Sequence, residues 1–197
     1  HIAHLPSSTL NSSKVALELI NLASKNGVNV TTEAYPYMAG STAISSALFD
    51  ENWQQRLGGI DYSNIIWAET GERLTKQSFD YHRSESIKKK LHGNVIIELI
   101  SEESMNSVIA DPNTIVASDG GGSHPRSTGS FSKVLGQHVR VEKRLSLMNA
   151  IKKMTLLPAL QLEKTSSMMN KKGRIKIGAD ADIVVFDANT ITDNATY

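Results

Sequence analysis

Apolar positions recur along this chain with two periods, and the way they alternate predicts an α/β protein. His1-Ile2-Ala3-His4-Leu5 reads as a short strand, after which Ala16, Leu19, Ile20 and Ala23 repeat at helical spacing. A serine-rich turn (Ser7, Ser8, Ser12, Ser13) supplies candidate N-caps for that helix, and Asn26-Gly27 supplies its stop. Residues 28–34 form a second apolar run, closed by Tyr35-Pro36-Tyr37. Strand, helix and strand make a βαβ unit, so the two strands are expected side by side and parallel.

The middle is less regular. Residues 41–49 and 51–57 read as helical, 65–68 as a short strand and 75–91 as a polar helix. The α/β rhythm then returns with a strand at 94–100, a helix at 102–110 and a strand at 114–117, which predicts a parallel sheet covered by helices. Residues 120–137 are rich in Gly and Ser and read as a long loop, of the kind that often carries function. A helix is expected near 142–154, with Ser146 as a cap and Leu147, Ala150, Ile151 and Met154 as its apolar face, and another from Pro158. From Gly173 the character changes. Arg174-Ile175-Lys176-Ile177 alternates polar and apolar, and residues 181–187 are a more hydrophobic strand beyond Gly178-Ala179-Asp180. These two strands read as a separate β element, with a boundary near residue 170.

Composition narrows the classes. The 197 residues suffice for one substantial core. A net charge of +1 argues against a dedicated nucleic-acid or anionic-membrane binder, and Lys88-Lys89-Lys90 reads as a solvated helix end. No apolar run approaches the roughly 20 residues of a membrane span. The absence of cysteine excludes disulfides and thiolate metal sites without fixing a compartment; a cytoplasmic location is the default expectation. The chain opens with His1 inside an expected strand and is read as an internal fragment of a longer protein, with any targeting segment upstream.

The strongest chemical signal is Ala117-Ser118-Asp119-Gly120, followed by His124-Pro125-Arg126. A buried strand delivers one carboxylate, Asp119, into a glycine turn (Gly120, Gly121, Gly122) at its C-terminal end. Parallel α/β folds keep their chemistry there. Taken alone, the same residues are also an ordinary Asp-Gly turn.

Several segments come in the order seen in the amidohydrolase superfamily, and within it they resemble the D-aminoacylases, the N-acyl-D-amino-acid deacylases. They are His1-Ile2-Ala3-His4-Leu5, Thr32-Glu33-Ala34-Tyr35-Pro36-Tyr37-Met38-Ala39-Gly40-Ser41-Thr42, Thr70-Gly71-Glu72-Arg73-Leu74, Ser118-Asp119-Gly120, His124-Pro125-Arg126, and the closing Gly173-Arg174-Ile175 with residues 178–187. The closing pattern is shared across the superfamily, whereas the tyrosine-rich and His-Pro-Arg segments point to the deacylase branch. The resemblance implies the second half of a (β/α)8 TIM-like barrel plus part of a small β-sandwich. Residues 1–170 would hold the barrel half, with an insertion at about 41–91 over the active-site mouth, and 171–197 the sandwich part. Residues 1–5, 28–34, 94–100 and 114–117 would be barrel strands five to eight.

The resemblance also implies roles. His4 is similar to the family's fifth-strand zinc ligand, although a lone histidine on an apolar strand is by itself more often a core residue. Asp119 is similar to the eighth-strand carboxylate, a metal ligand that also serves as general base and acid. Arg126 is similar to the arginine that clamps the α-carboxylate of a small N-acyl amino acid substrate; its bland reading is a local loop pair. His124 reads as a loop-shaping residue. The family's sixth-strand histidine has no counterpart after 28–34, where Tyr35 stands. Glu33 is a candidate oxygen ligand in its place, and Tyr35 and Tyr37 are candidate substrate-pocket residues. One or two divalent ions are expected, with the remaining ligands upstream of residue 1, so the isolated fragment is expected to be inactive. A cyclic-amide hydrolase of the same superfamily and a non-catalytic binding protein stay open as alternatives.

Overall fold

The computed structural model describes residues 1–91, 93–121 and 124–197. In chain order its elements are α1 (Leu5–Thr9), α2 (Ser13–Lys25), β1 (Glu33–Ala34), β2 (Ala39–Ala43), α3 (Trp53–Arg56), β3 (Ile65–Trp67), β4 (Glu72–Arg73), α4 (Lys76–Lys89), β5 (Asn94–Glu98), α5 (Glu102–Ala110), β6 (Ile115–Val116), α6 (Arg126–Lys133), α7 (Leu147–Met154) and α8 (Leu156–Leu162). A π-helical stretch, Val134–Val141, prolongs α6.

Three segments run parallel at the centre. Ile2 bridges to Thr32, and β1 pairs with β6 in the register Glu33↔Ile115 and Ala34↔Val116. The strand expected at 1–5 is therefore short. Beyond His4 the chain turns into α1, with a proline in the first turn, where its missing N–H costs nothing. The core here gathers Leu5, Leu17, Ala34, Val108 and Val116, all at most 8% exposed.

The expected strand 94–100 is present as β5 but does not join these parallel segments. It pairs antiparallel with β2 and β3 in a four-stranded sheet of order β2-β5-β3-β4. No strand among the described residues separates β1 from β6, so residues 94–100 are not a barrel strand between them. The helix expected at 41–49 is likewise corrected. Ala39–Ala43 pairs residue by residue with β5 from Ala39↔Glu98 to Ala43↔Asn94, and only the short turn Ala47–Phe49 is helical. Pairing with a neighbour overrides a weak local preference in such a stretch of small residues. This sheet has its own aromatic core, in which Trp53 stacks on Phe79 at 5.4 Å and Phe49 meets both edge-on.

The expected loop 120–137 contains α6. It is held by close packing: a Cβ on Gly129 would lie 2.2 Å from the Tyr37 hydroxyl and 2.1 Å from Asp193 Oδ1, so only glycine fits. Gly122 of the expected glycine turn lies outside the described residues. The cap proposed at Ser146 forms, with its hydroxyl accepting from the Asn149 N–H at 3.2 Å. On α7, Lys153 is fully buried and donates to the backbone carbonyls of Ile109 and Asp111, tying the end of α5 to the turn that launches β6.

The two strands expected within 173–187 are not formed. Ile175, Ile177 and Val185 stand 107%, 104% and 93% exposed. Two short segments have no third layer here on which to bury an apolar face, and a lone hairpin is marginal in water. No described helix is long and apolar enough to cross a membrane.

Candidate active site

His4 and Asp119 sit at the C-terminal ends of the parallel segments, and both hold backbone angles that side chains avoid, with φ 36° and 46°. Left-handed backbone at non-glycine residues costs on the order of 1 kcal/mol or more each and concentrates at functional sites. Here it aims both side chains into one cavity of about 550 Å³, which Tyr35, Ser41 and Arg126 also line.

The ring of His4 is oriented by Ser7. The Ser7 hydroxyl lies 2.8 Å from Nδ1 and 2.9 Å from the His4 carbonyl oxygen. Having one proton, it donates to the carbonyl and accepts from the Nδ1–H. That tautomer puts the lone pair of His4 on Nε2 and makes it available as a ligand, the usual way an outer hydrogen bond prepares an imidazole for a metal.

Arg126, the first residue of α6, is nearly buried. Its Nη1 lies 3.0 Å from Asp119 Oδ2, and its guanidinium carbon sits 4.6 Å above the Tyr35 ring. Its Nε is buried and has no partner among the described residues. Burial raises the Tyr35 phenol above its ordinary value, and the Arg126 charge partly opposes this.

His124 is the hinge of this corner. Its Nδ1 accepts from the Arg126 backbone N–H at 3.0 Å, and its Nε2 donates to Ala39 O, also at 3.0 Å. Both nitrogens are thus committed with the ring neutral, which agrees with the loop-shaping role read from the sequence. Burial, then the Arg126 charge, push its pKa down to about 4. The sign of the linkage follows. Below the ordinary value near 6.5 the unfolded chain takes up a proton that the folded chain refuses until about 4, so stability falls as pH drops through that window. The loss is on the order of 3 kcal/mol. Thermal midpoints measured from pH 7 to 4 should show this slope, and His124→Gln should flatten it; an unchanged slope in the variant would remove His124 as the cause.

Two candidates lie outside the cavity. Tyr37 is buried, but its hydroxyl donates to Asp193 Oδ2 at 2.6 Å, and its ring meets His124 edge-on at 5.5 Å. It supports α6 from behind and does not line the cavity. The sequence carried no signal for Asp193, which is far away along the chain. Glu33 lies 3.3 Å from His1 Nε2 and is also outside the cavity lining; burial raises its pKa, followed in order by the opposing His4 backbone hydrogen bond and the reinforcing charge of Asp119.

An imidazole whose Nε2 has no partner among the described residues and a carboxylate facing the same cavity are donors that suit a divalent ion. They do not complete a set, which typically takes three protein ligands. Among the described residues no cluster of three or more His, Cys, Asp or Glu side chains could hold a metal.

Comparison with known proteins bears on this geometry. Residues 4–196 match the amidohydrolase family. The N-acyl-D-glutamate deacylase of Alcaligenes xylosoxydans xylosoxydans is 31% identical over 196 residues, covering 94% of this chain and 38% of the relative. The D-aminoacylase of the same organism is 30% identical over 180 residues, covering 86% and 34%. Among solved structures, the N-acyl-D-glutamate deacylase from Bordetella bronchiseptica, complexed with zinc and a phosphonate mimic of the tetrahedral intermediate, aligns with a TM-score of 0.76 at 28% identity, covering 99% of this chain and 41% of that one. A D-aminoacylase studied for its binuclear metal center aligns with a TM-score of 0.77 at 27% identity, with the same coverage. The chain thus spans about two fifths of the length of the relatives it matches.

Proposed function

The chain belongs to the amidohydrolase family, and we propose that the complete protein carrying it hydrolyses the amide bond of N-acyl-D-amino acids at a zinc-assisted site to which His4, Asp119 and Arg126 contribute. The observation that carries this is the convergence of those three side chains on one cavity, with Arg126 gripping Asp119 at 3.0 Å.

The parallel pairing supports a revised strand count. If the segment ending at Asp119 is the eighth barrel strand, its neighbour at Thr32–Ala34 is the seventh and the segment at Ile2 is the sixth. His4 then stands at the end of the sixth strand, where the family resemblance leads us to expect an imidazole. Glu33 is not needed as a substitute ligand. The antiparallel sheet is then an insertion between strands seven and eight, and 171–197, which forms no strand here, would join a β-sandwich only together with the rest of the complete protein.

A bound divalent ion supplies carbonyl polarisation and a more acidic water. His4, through Nε2, and Asp119 would hold it together with residues outside this chain. The other tasks fall to this chain's own side chains. Asp119 takes the proton from the attacking water and delivers it to the amide nitrogen as the C–N bond breaks, releasing a carboxylate and a free amino group. Arg126 fixes the carboxylate plane of Asp119 through Nη1. The guanidinium, lying over the Tyr35 ring, would meet the substrate's α-carboxylate with its other N–H donors. Residues 1–197 alone are expected to be inactive.

The test of the metal assignment is His4→Ala in the complete protein. Zinc content measured after gel filtration should fall well below that of the unaltered protein, since a catalytic zinc site rarely survives the loss of one imidazole. Undiminished zinc and activity would place His4 in a structural role.

A further inference from the structure

Beyond the exposed residues Ile183, Val184 and Val185, the chain comes back onto α6 and the π-helical stretch that prolongs it. Arg140 donates through Nη1 to the carbonyl oxygens of Ala188, at 3.3 Å, and of Ile191. A Cβ on Gly136 would lie 2.7 Å from the Ile191 carbonyl oxygen and 3.2 Å from Thr192 Cα, so the two backbones touch there. These contacts deliver the Asp193 carboxylate to the helix that begins at Arg126. We infer, resting on the deacylase reading above, that Asp193 is a positioning residue for Arg126: through Tyr37 and His124 it fixes the start of α6, and with it the guanidinium that meets the substrate's α-carboxylate.

Three observations carry the inference. First, both oxygens of the Asp193 carboxylate are engaged as acceptors. Oδ2 accepts from the Tyr37 hydroxyl at 2.6 Å, and Oδ1 accepts from the Ala195 N–H at 2.9 Å. Tyr37 is buried, and a buried phenol needs an acceptor for its proton. Burial raises the Tyr37 phenol above its ordinary value and the Asp193 hydrogen bond adds to this, so the phenol stays protonated and donates. Its other acceptor among the described residues is the Pro125 carbonyl oxygen, at 3.5 Å, on the residue before Arg126.

Second, this pair lies directly against α6. Gly129 leaves no room for a Cβ between itself and either the Tyr37 hydroxyl or Asp193 Oδ1. Lys133, one turn further along, holds its ammonium 4.1 Å from the centre of the Tyr37 ring. One side of both turns of the helix thus rests on a single phenol and the carboxylate that orients it.

Third, the same phenol touches the residue that holds the Arg126 backbone. The Tyr37 ring meets His124 edge-on at 5.5 Å, and the Tyr197 ring, four residues beyond Asp193, does so at 5.2 Å. His124 Nδ1 in turn accepts from the Arg126 N–H at 3.0 Å. His124 and Gly129 therefore bracket Arg126 along the chain, and Tyr37 and Asp193 set both. The guanidinium reaches Asp119 from the first position of the helix, so a shift of the helix start moves the charge that grips Asp119 and faces the substrate. A misplacement of about 1 Å, caused far from the chemistry, can cost on the order of 100-fold in rate.

The test uses the zinc-loaded complete protein and compares kcat/KM for its best N-acyl-D-amino acid substrate with that for the corresponding primary amide, which lacks the α-carboxylate charge. Asp193→Ala removes both acceptors. Tyr37→Phe removes only the hydroxyl and keeps the buried ring, so it gives the answer even where Asp193→Ala does not fold. Each substitution should lower the ratio of carboxylate to amide kcat/KM by about 10- to 100-fold at unchanged zinc content. In an Arg126→Ala background the same substitutions should leave that ratio where Arg126→Ala alone puts it, because the group they position is gone. Equal losses on the two substrates, or a fall in the ratio that persists at full size in the Arg126→Ala background, give Asp193 a purely structural role; either overturns the inference and leaves the deacylase function standing. An unaltered protein that hydrolyses no N-acyl-D-amino acid overturns the deacylase function itself and the inference with it.

Discussion

Replacing Asp119 with asparagine is expected to lower kcat by at least about 10²-fold in zinc-saturated protein while the fold stays intact, since a positioned general acid-base group contributes typically 10²- to 10⁴-fold. Asparagine keeps the shape of the side chain, is among the residues that best tolerate a positive φ, and still offers an oxygen to Arg126. What it loses is the capacity to accept the water's proton. The effect should therefore appear in kcat and in the pH–rate profile, where the limb reporting the base should vanish. A kcat within a few-fold of the unaltered protein would remove Asp119 from the chemistry and return it to the turn that its Asp-Gly sequence also describes.

Truncating Arg126 to alanine is expected to cost roughly 30- to 1000-fold in kcat/KM for a substrate with a free α-carboxylate, corresponding to about 2–4 kcal/mol for a desolvated charge-assisted pair. The structure adds a complication that the experiment must resolve. Arg126 also holds Asp119 at 3.0 Å, so part of the loss should fall on every substrate alike. The corresponding primary amide, which carries no charge at that position, isolates this shared part. The excess loss on the carboxylate substrate then measures the clamp. Arg126→Lys should rescue only partly, because an ammonium cannot form a two-point fork. Equal losses on the carboxylate and the amide would mean that the arginine orients Asp119 and nothing else.

The elements with a strong local signature were legible from the sequence. Helix α2 has its apolar stripe, α7 has its serine cap, and the strand before Asp119 has its run of Thr114-Ile115-Val116. Partnership between strands was not legible. Residues 94–100 are as apolar as a buried parallel strand, and only the register with Ala39–Ala43 reveals an antiparallel sheet. Nor could the Gly- and Ser-rich composition of 126–133 announce a helix, because that helix is stabilised from outside by Tyr37 and Asp193, which lie far off along the chain.

At the site, His4, Asp119 and Arg126 stand out in the sequence as candidates because they belong to short motifs, and the structure places all three in the lining of one cavity. Tyr37 and Glu33 were chosen from their places near the end of a strand. The structure turns Tyr37 toward Asp193 and Glu33 toward His1, where two-residue alternation along a short, bent strand could not have placed them. The strain at His4 and Asp119 left no trace in residue type, since neither position carries a glycine.

The most direct test of the central claim is a metal-dependence assay on the complete protein. Zinc is removed with a chelator, the protein is reconstituted with measured equivalents of zinc, and carboxylate release is followed from an N-acyl-D-amino acid and from its L enantiomer. Activity that disappears with the metal, returns with zinc in proportion to the amount bound, and is confined to the D substrate is the predicted result. Hydrolysis that persists at full rate after zinc is stripped, or a reconstituted, folded and zinc-loaded protein that releases nothing from the D substrate, would contradict it.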